Sequence, residues 1–117
     1  MPAPVPARPT LRRGDVVTAA SQGDLGKPRL ALVIQSDLFD VHPLVTVLPI
    51  TSELREAPLF RIALAPGELT GLAKPSQVMV DKPQSIPREK IGAVCGHVDD
   101  ETMLAVNRAL AVFLGFA

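Results

Sequence analysis

The sequence contains no tryptophan, no tyrosine and a single cysteine, Cys95. One cysteine excludes a disulfide within the chain and is compatible with a reducing cytosol. No apolar run approaches about 18 residues, which argues against a membrane-spanning helix, and no apolar segment of signal-peptide type opens the chain. The formal net charge is zero. We therefore do not expect the whole molecule to be steered towards nucleic acid or an acidic membrane, and any anion site must be a local cluster.

The composition favours one packed domain. The chain has 117 residues, 47% of them apolar, which is enough for one hydrophobic core but not comfortably for two. With four Phe as the only aromatic residues, Leu, Val, Ile and Ala must fill that core. Residues 1–10 contain four of the 12 prolines. We interpret them as a disordered or polyproline-type arm, with a proline-rich recognition segment as the alternative, and residues 11–117 as the single folded domain.

Short apolar runs separated by Gly and Pro predict strands rather than helices over most of the domain. The segments 30–34 and 44–51 alternate poorly, so we expect both strands to be buried on two faces, and Pro49 to end or bulge the second one. Residues 81–87 are predicted to be a loop, because two prolines interrupt them. The predicted strands are residues 16–19, 30–34, 44–51, 59–64, 76–80 and 91–98. Residues 21–28 are predicted to be a polar loop, and 36–43 a connection with one short helical turn.

The last segment predicts the one clear helix. Asp99 is a good N-cap, and two acidic residues follow it in the first turn, where the helix dipole favours anions. Apolar residues recur at helical spacing, and Gly115 suits the position after the last turn. We expect the apolar end, residues 113–117, to join the core. Several short strands followed by one amphipathic helix predict an α+β fold, a small barrel of about six strands capped by a C-terminal helix. The apolar positions of the helix are Met103, Val106, Leu110, Phe113 and Leu114.

Metal-dependent and thiol chemistry find little support in the sequence. The only soft ligands are His42, Cys95 and His97, and two neighbouring ligands on one strand do not make a zinc site. Cys95 lies in an apolar, glycine-rich strand with no obvious group to lower its pKa. The sequence also has no nucleophilic-triad signature, phosphate-cradling loop or dinucleotide fingerprint. We therefore predict neither a metal nor a cofactor.

Three polar residues lie at strand ends and could line one groove. Arg29 begins the second predicted strand, Thr51 ends the third, and Asp81 follows the fifth. An arginine offers several donors that suit phosphate, a hydroxyl can donate to a developing oxyanion, and a carboxylate can accept a proton or orient the arginine. The alternative is that Arg29 is a rim charge, Thr51 a turn residue and Asp81 the start of an Asx-turn. Spacing alone leaves both interpretations open.

Five segments in a fixed order resemble the MazF/PemK toxin family within the CcdB/PemK superfamily, the endoribonucleases of bacterial type II toxin–antitoxin systems. The first is Arg13-Gly14-Asp15 followed by a strand. The resemblance runs from about residue 11 to the end of the chain. The remaining segments are residues 26–37, with Arg29 and Gln35-Ser36-Asp37; residues 48–52; residues 71–87, with Gly71-Leu72, residues 76–81 and Ile86-Pro87; and residues 97–115.

The resemblance implies an SH3-like small barrel that forms a homodimer and cuts single-stranded RNA at short sequences without a metal. The 2′-hydroxyl of the substrate attacks the adjacent phosphate and leaves a 2′,3′-cyclic phosphate and a 5′-hydroxyl. The family's catalytic arginine falls on Arg29, where it would stabilise the pentacovalent phosphate and transfer a proton. Its catalytic threonine falls on Thr51, which would hydrogen-bond a non-bridging oxygen, and an acidic residue of some members falls on Asp81. RNA-contacting side chains are expected at Lys27, Ser52, Gln77 and Gln84.

The implied partners are single-stranded mRNA and a cognate antitoxin protein, and the implied location is the cytoplasm. Leu38, Phe39 and the closing helix are our candidates for the dimer interface. Two other functions remain open at this point. A CcdB-like toxin poisons DNA gyrase through C-terminal residues of the closing helix, and a non-catalytic barrel binds a protein or peptide.

Overall fold

A computed structural model describes residues 10–20 and 27–117 of the chain. Within these ranges the chain folds into short antiparallel strands followed by a helix, as the sequence predicts. No helix in the described ranges has the length and hydrophobicity that a membrane crossing requires. The elements are β1 (Asp15–Ala20), β2 (Pro28–Val33), β3 (Leu44–Thr51), β4 (Arg61–Leu64), β5 (Ser76–Met79), β6 (Gln84–Pro87), β7 (Ile91–His97) and α1 (Asp100–Leu114), with 3₁₀ turns at Asp37–Phe39 and Arg88–Lys90.

Strand β3 is the centre of the sheet, because it belongs to three ladders. The strand order is β4-β5-β3-β2-β1-β7, with β6 also paired to β3. Residues 44–47 of β3 pair with β6, whereas Ile50 and Thr51 pair with β5. Pro49 lies where β3 passes from one partner to the other, and it has no N–H to give to a ladder. The sheet is not closed into a ring by its outer strands, which gives a small barrel-like α+β fold.

Strands β2 and β3 are buried on both faces, as the sequence predicts. Consecutive residues such as Leu32 and Val33, or Val47 and Leu48, are almost inaccessible to solvent although they point to opposite faces. One face packs against α1 through Met103, Val106 and Leu110. The opposite face forms a second apolar cluster: Leu11, Val17, Ala19, Ala31, Val33, Val45, Val47 and Ile86.

The helix begins and ends where the sequence predicts. The Asp99 carboxylate accepts a hydrogen bond from the Thr102 backbone N–H at 2.8 Å, and Gly115 ends the helix with φ +84°. Hydrogen bonds from the side chain and the backbone N–H of Thr102 lower the pKa of Asp99 below its ordinary value of 3.8. The prediction that residues 113–117 join the core is wrong: Phe113 is 48% exposed and Phe116 82%. The helix buries Met103, Val106 and Leu110 but leaves the apolar side chains of its last turn on the surface.

Two strand boundaries also differ from prediction. Residues 84–87 of the predicted loop form β6, which pairs with the first half of β3 and buries Ile86 opposite Val45. A strand at the border of a sheet tolerates the flanking prolines, which the sequence interpretation took as breakers. The fourth strand begins at Arg61 because the N–H groups of Phe60 and Arg61 donate to the Ala57 carbonyl in a turn. The predictions for residues 1–9 and 21–26 lie outside the described ranges.

The tripeptide Arg13-Gly14-Asp15 links the start of β1 by hydrogen bonds to the chain after β2 and to α1. The Arg13 guanidinium donates to the Ile34 carbonyl at 2.9 Å and to the Asn107 side chain on α1. Its backbone N–H donates to the Asp37 carboxylate at 2.7 Å. Gly14 has a φ of +95°, a left-handed conformation that favours glycine. The segment therefore fixes the start of β1 against both the sheet and the helix.

Candidate functional site

Arg29 and Thr51 come together at the ends of the two central strands. The β2–β3 ladder pairs Ala31 with Pro49 and Leu32 with Leu48, and the same register extended by two residues beyond its end would bring Arg29 opposite Thr51. Both residues line two neighbouring cavities, of about 320 and 250 Å³, which also share Leu30 and Ile50. Arg29 is exposed and Thr51 is half-buried. The strands behind them are fixed by the core, so the two side chains are held on the shared rim of the cavities.

The two cavities differ in character. The larger one is bordered by the chain before β5 and by the residue after β3, and it is rich in polar groups. The smaller one is lined partly by residues of the second apolar cluster, and Met79 and Gln84 also line it. The larger cavity is lined by Pro28, Arg29, Leu30, Ile50, Thr51, Ser52, Leu72, Ala73, Lys74 and Ser76. The smaller one is lined by Ala19, Arg29, Leu30, Ala31, Val47, Pro49, Ile50, Thr51, Met79, Gln84 and Ile86.

The site is locally cationic in a protein of zero net charge. Among the described residues that line the two cavities, Arg29 and Lys74 are cations and none is acidic. A cleft lined by charges of one sign attracts counter-charged ligands even when the whole molecule is neutral. The cavities therefore suit an anionic group at the rim between them, which both Arg29 and Thr51 line.

The Thr51 hydroxyl is tied to the loop that follows β3. Its Oγ1 accepts a hydrogen bond from the Glu53 backbone N–H at 3.0 Å. Gln77 pairs directly with Thr51 across the β3–β5 ladder and holds the same loop. Its amide accepts from the Arg55 N–H and donates to the Arg55 carbonyl, both at 3.0 Å. The predicted RNA-contacting amide of Gln77 is thus engaged within the protein.

Arg61 completes this arrangement from β4. One of its terminal nitrogens donates to the Glu53 carbonyl at 3.1 Å and to Gln77 Oε1 at 3.0 Å. The sequence interpretation did not single out Arg61, because its position depends on the β4–β5 register that places it opposite Met79. Lys74 was missed for a similar reason. The only sequence signal for Lys74 is that it is a cation shortly before the predicted strand at residues 76–80.

The other predicted site residues lie at different distances from this rim. Ser52 lines the larger cavity and Gln84 the smaller one. Lys27 is exposed just before β2 and lines neither of them. Asp81 lies in the turn after β5 and is also absent from both linings. Its Oδ1 is buried and has no hydrogen-bond partner among the described residues.

The three soft metal ligands lie away from the cavities. His42 Nδ1 is within hydrogen-bond distance of the Leu44 backbone, and His97 donates its backbone N–H to the Leu69 carbonyl at 2.9 Å. Cys95 is half-buried on β7, where its carbonyl would lie 2.2 Å from a Cβ placed on Gly71. In residues 10–20 and 27–117, no three His, Cys, Asp or Glu side chains gather into a group that could hold a metal ion.

The sequence matches one toxin-family model and two proteins that are named as endoribonucleases. The model of the PemK-like, MazF-like toxins of type II toxin–antitoxin systems matches residues 12–114. A probable endoribonuclease MazF of Mycolicibacterium smegmatis is 44% identical over 108 residues, which cover 92% of this chain and 99% of the relative. Endoribonuclease EndoA of Bacillus subtilis is 28% identical over 112 residues, covering 89% of this chain and 94% of that protein.

A solved structure has the same fold over nearly its whole length. It is an endoribonuclease in complex with its cognate antitoxin from a mycobacterial species, with a TM-score of 0.76 and 26% identity, covering 92% of this chain and 97% of that one. The sequence match and the shared fold extend over the strands that carry Arg29, Thr51 and Gln77. The chain therefore belongs to the PemK-like, MazF-like toxin family of type II toxin–antitoxin systems.

Proposed function

We propose that the protein is the toxin of a type II toxin–antitoxin system and a metal-independent, sequence-specific endoribonuclease that cleaves single-stranded mRNA. The observation that carries this proposal is the convergence of Arg29 and Thr51 on the rim shared by two cavities. A scissile phosphate on that rim has a cation and a hydroxyl donor beside it, and space for a nucleoside on either side. The relatives named as endoribonucleases support the same activity.

The reaction needs a nucleophile, charge stabilisation and a proton donor. The 2′-hydroxyl of the RNA gives its proton to water and forms a bond to the adjacent phosphorus while the bond from phosphorus to the 5′-oxygen breaks. The products are a 2′,3′-cyclic phosphate and, once the 5′-oxygen takes up a proton, a 5′-hydroxyl. Arg29 places its permanent positive charge and its fork of donors on the pentacovalent phosphate and donates towards the leaving oxygen. Thr51 donates to a non-bridging oxygen, which gains charge in the transition state.

The remaining predicted site residues would act around this pair. Ser52 and Lys74, which line the larger cavity, are placed to contact phosphate oxygens of the strand. Gln84 lines the smaller, more apolar cavity, where it would read a base edge. Lys27 would contact the RNA backbone beside the cavities. We propose Asp81 as an auxiliary carboxylate, because its buried Oδ1 still has acceptor capacity.

The proposed partners are a second copy of the chain and an antitoxin. Leu38 is 87% exposed in the single chain, and Phe39 and Leu104 are also accessible, so these surfaces are available to be covered in a homodimer. The mycobacterial structural relative was solved with its cognate antitoxin, which supports an antitoxin partner here. A toxin that acts on mRNA would work in the cytoplasm.

The experiment incubates the purified protein with a long single-stranded RNA in excess EDTA. We expect discrete cuts whose downstream fragments carry 5′-hydroxyls, detected by direct labelling with polynucleotide kinase and ATP. An oligonucleotide that spans a mapped cut, with a single 2′-deoxy nucleotide on its 5′ side, should resist cleavage because the nucleophile is missing. Arg29→Ala should lower the rate by about 10²-fold or more, the scale of losing an oxyanion donor.

The matched control is Arg108→Ala, because Arg108 is an exposed arginine on α1 that lines neither cavity. Cleavage of the 2′-deoxy oligonucleotide, or equal rates for Arg29→Ala and the wild type, would overturn the proposed mechanism. Asp81→Asn in the same assay tests the auxiliary carboxylate. A rate equal to that of the wild type would remove Asp81 from the site.

One observation favours a second candidate function. The end of α1 is an exposed apolar segment with Phe113, Leu114 and Phe116, and a CcdB-like toxin contacts DNA gyrase through this part of the fold. If the wild-type protein stalls gyrase supercoiling while the RNA stays intact, this function replaces RNA cleavage. If neither occurs, the chain is a non-catalytic binding barrel.

A further inference from the structure

The loop after β3 is held by side chains whose hydrogen bonds converge on a short stretch of backbone. Gln77 Oε1 accepts from the Arg55 N–H and from Arg61, while Gln77 Nε2 donates to the Arg55 carbonyl. The same Arg61 nitrogen also donates to the Glu53 carbonyl. All four contacts measure 3.0–3.1 Å. Residues 53–55 are therefore fixed from β4 and β5 rather than by their own secondary structure.

This fixed loop has a direct consequence for Thr51. Its Oγ1 accepts the Glu53 N–H at 3.0 Å. A hydroxyl has one donor and two acceptor lone pairs. With one lone pair occupied by a backbone donor on the loop side, the O–H proton is free to be given to a ligand in the cavities. A hydroxyl that stabilises developing negative charge must act as a donor, so the Glu53 contact prepares Thr51 for that role.

We propose that Gln77 and Arg61 are positioning residues for RNA cleavage, which act by holding residues 53–55 so that the Glu53 N–H orients the Thr51 hydroxyl as a donor to the phosphate. The inference rests on the proposed function and assigns these two residues a role that differs from RNA contact. Preorganised donors are effective because they need no rearrangement during the reaction. Loss of the Gln77 amide would leave Thr51 present but less well oriented.

The chain offers a matched control in Gln35. Its amide also anchors a loop to the sheet: Nε2 donates to the carbonyls of Phe39 and Leu44, and Oε1 accepts from the Thr46 N–H at 2.9 Å. It lines neither of the two cavities that Arg29 and Thr51 share. Replacement of either glutamine by methionine removes the same kinds of hydrogen bonds at similar side-chain length. Only the Gln77 replacement should affect the chemical step.

The test compares wild type, Gln77→Met and Gln35→Met on an RNA oligonucleotide that spans a mapped cut. We expect Gln77→Met to lower kcat about tenfold with KM within about twofold, and Gln35→Met to leave both unchanged. In a Thr51→Ala background, the further loss from Gln77→Met should fall below about twofold, because the two changes act through one hydroxyl. Exchange of the Glu53 amide hydrogen should be faster in Gln77→Met than in the wild type.

The outcomes separate the inference from the function on which it rests. If the wild type does not cut RNA, the proposed function fails. If the wild type cuts and Gln77→Met raises KM with kcat unchanged, Gln77 binds RNA directly and the positioning role is wrong. An undiminished loss in the Thr51→Ala background also overturns it. Should Gln77→Met not fold, Arg61→Met and Arg61→Lys replace it, and we expect lysine to restore part of the kcat that methionine removes.

Discussion

The two ends of β3 carry loops that are anchored in the same way, but the cavities that we describe beside them differ greatly in size. At the start of β3, Gln35 and Arg88 hold the loop by donating to backbone carbonyls of residues 39–44. At its end, Gln77 and Arg61 hold residues 53–55. In both places a glutamine amide and an arginine replace the regular hydrogen bonds that the loop lacks.

The difference lies in what the anchored loop leaves open. The first end borders a cavity of only about 10 Å³, and its loop exposes Leu38 and Val41 to solvent. The second end borders the cavities of about 320 and 250 Å³ that contain Arg29 and Thr51. The comparison indicates that anchoring a loop to the sheet does not by itself create a large cleft. The reactive site that we propose also needs a cation and a hydroxyl donor on the rim of such a cleft.

The strongest test of this comparison exchanges one hydroxyl at each end of β3. Thr51→Val removes the hydroxyl while keeping a β-branched side chain, and we expect it to lower the cleavage rate by about 10²-fold or more. Thr46→Val removes the hydroxyl that lies 3.3 Å from Ser85 Oγ, at the other end of the strand. Its rate on the same oligonucleotide should equal that of the wild type. Similar losses in both variants would show that strand integrity, and not the hydroxyl, controls cleavage.

A smaller effect is expected from the two faces of β6. Gln84→Ala should change the relative use of cut sites in a long RNA about threefold to tenfold, the scale of one hydrogen bond to a base. Ser85→Ala is the control, because Ser85 lies opposite Thr46 and is not in the lining of the smaller cavity. Mapping of 5′ ends measures both. An unchanged pattern in Gln84→Ala would exclude base reading by this residue.

No effect on cleavage is expected from the helix cap, because Asp99 lines neither of the two cavities. The folded-state pKa of Asp99 is lowered below 3.8, so its stabilising contribution is present above that value and is lost as the pH falls through the folded pKa. Asp99→Ala should therefore lower Tm at neutral pH by an amount that shrinks on acidification. Asp99→Asn should keep a cap without this pH dependence. Thermal unfolding between pH 7 and 3 checks the prediction, and a difference that grows on acidification would contradict it.

Local sequence patterns predicted most of the fold because strand burial and helix capping leave their mark on neighbouring residues. The poor alternation of residues 30–34 and 44–51 predicted strands buried on two faces, and Asp99 with Gly115 predicted both ends of the helix. The error at residues 81–87 has a physical cause: Pro83 precedes and Pro87 ends a strand that is held by its pairing with residues 44–47. Pairing of segments about 40 residues apart leaves no local mark. The exposed Phe113 and Phe116 were misplaced because periodicity does not reveal where the sheet under a helix ends.

The site could be predicted only as far as residue types and motif order allow. Arg29 and Thr51 have chemistry that suits a phosphate, and the resemblance to the toxin family singled them out. Lys74 and Arg61 reach the site through the registers of β3 with β5 and β5 with β4, which no spacing in the sequence encodes. Gln77 shows most clearly how far the sequence alone could predict the site. Its amide suits RNA contact, yet its hydrogen bonds to residues 55 and 61 are visible only in the fold.

The division of β3 between several ladders has a consequence for synthesis of the chain. Arg29 and Thr51 emerge from the ribosome before the strands that complete the cavities, since Met79, Gln84 and Ile86 line the smaller one. The Thr51 hydroxyl is not clamped through Gln77 until β5 has paired with the end of β3. A nascent chain that stops before residue 86 therefore has both proposed catalytic side chains but lacks the finished cleft. Under our proposal, the ability to cut messenger RNA appears late in translation, when the toxin that could attack the message is nearly complete.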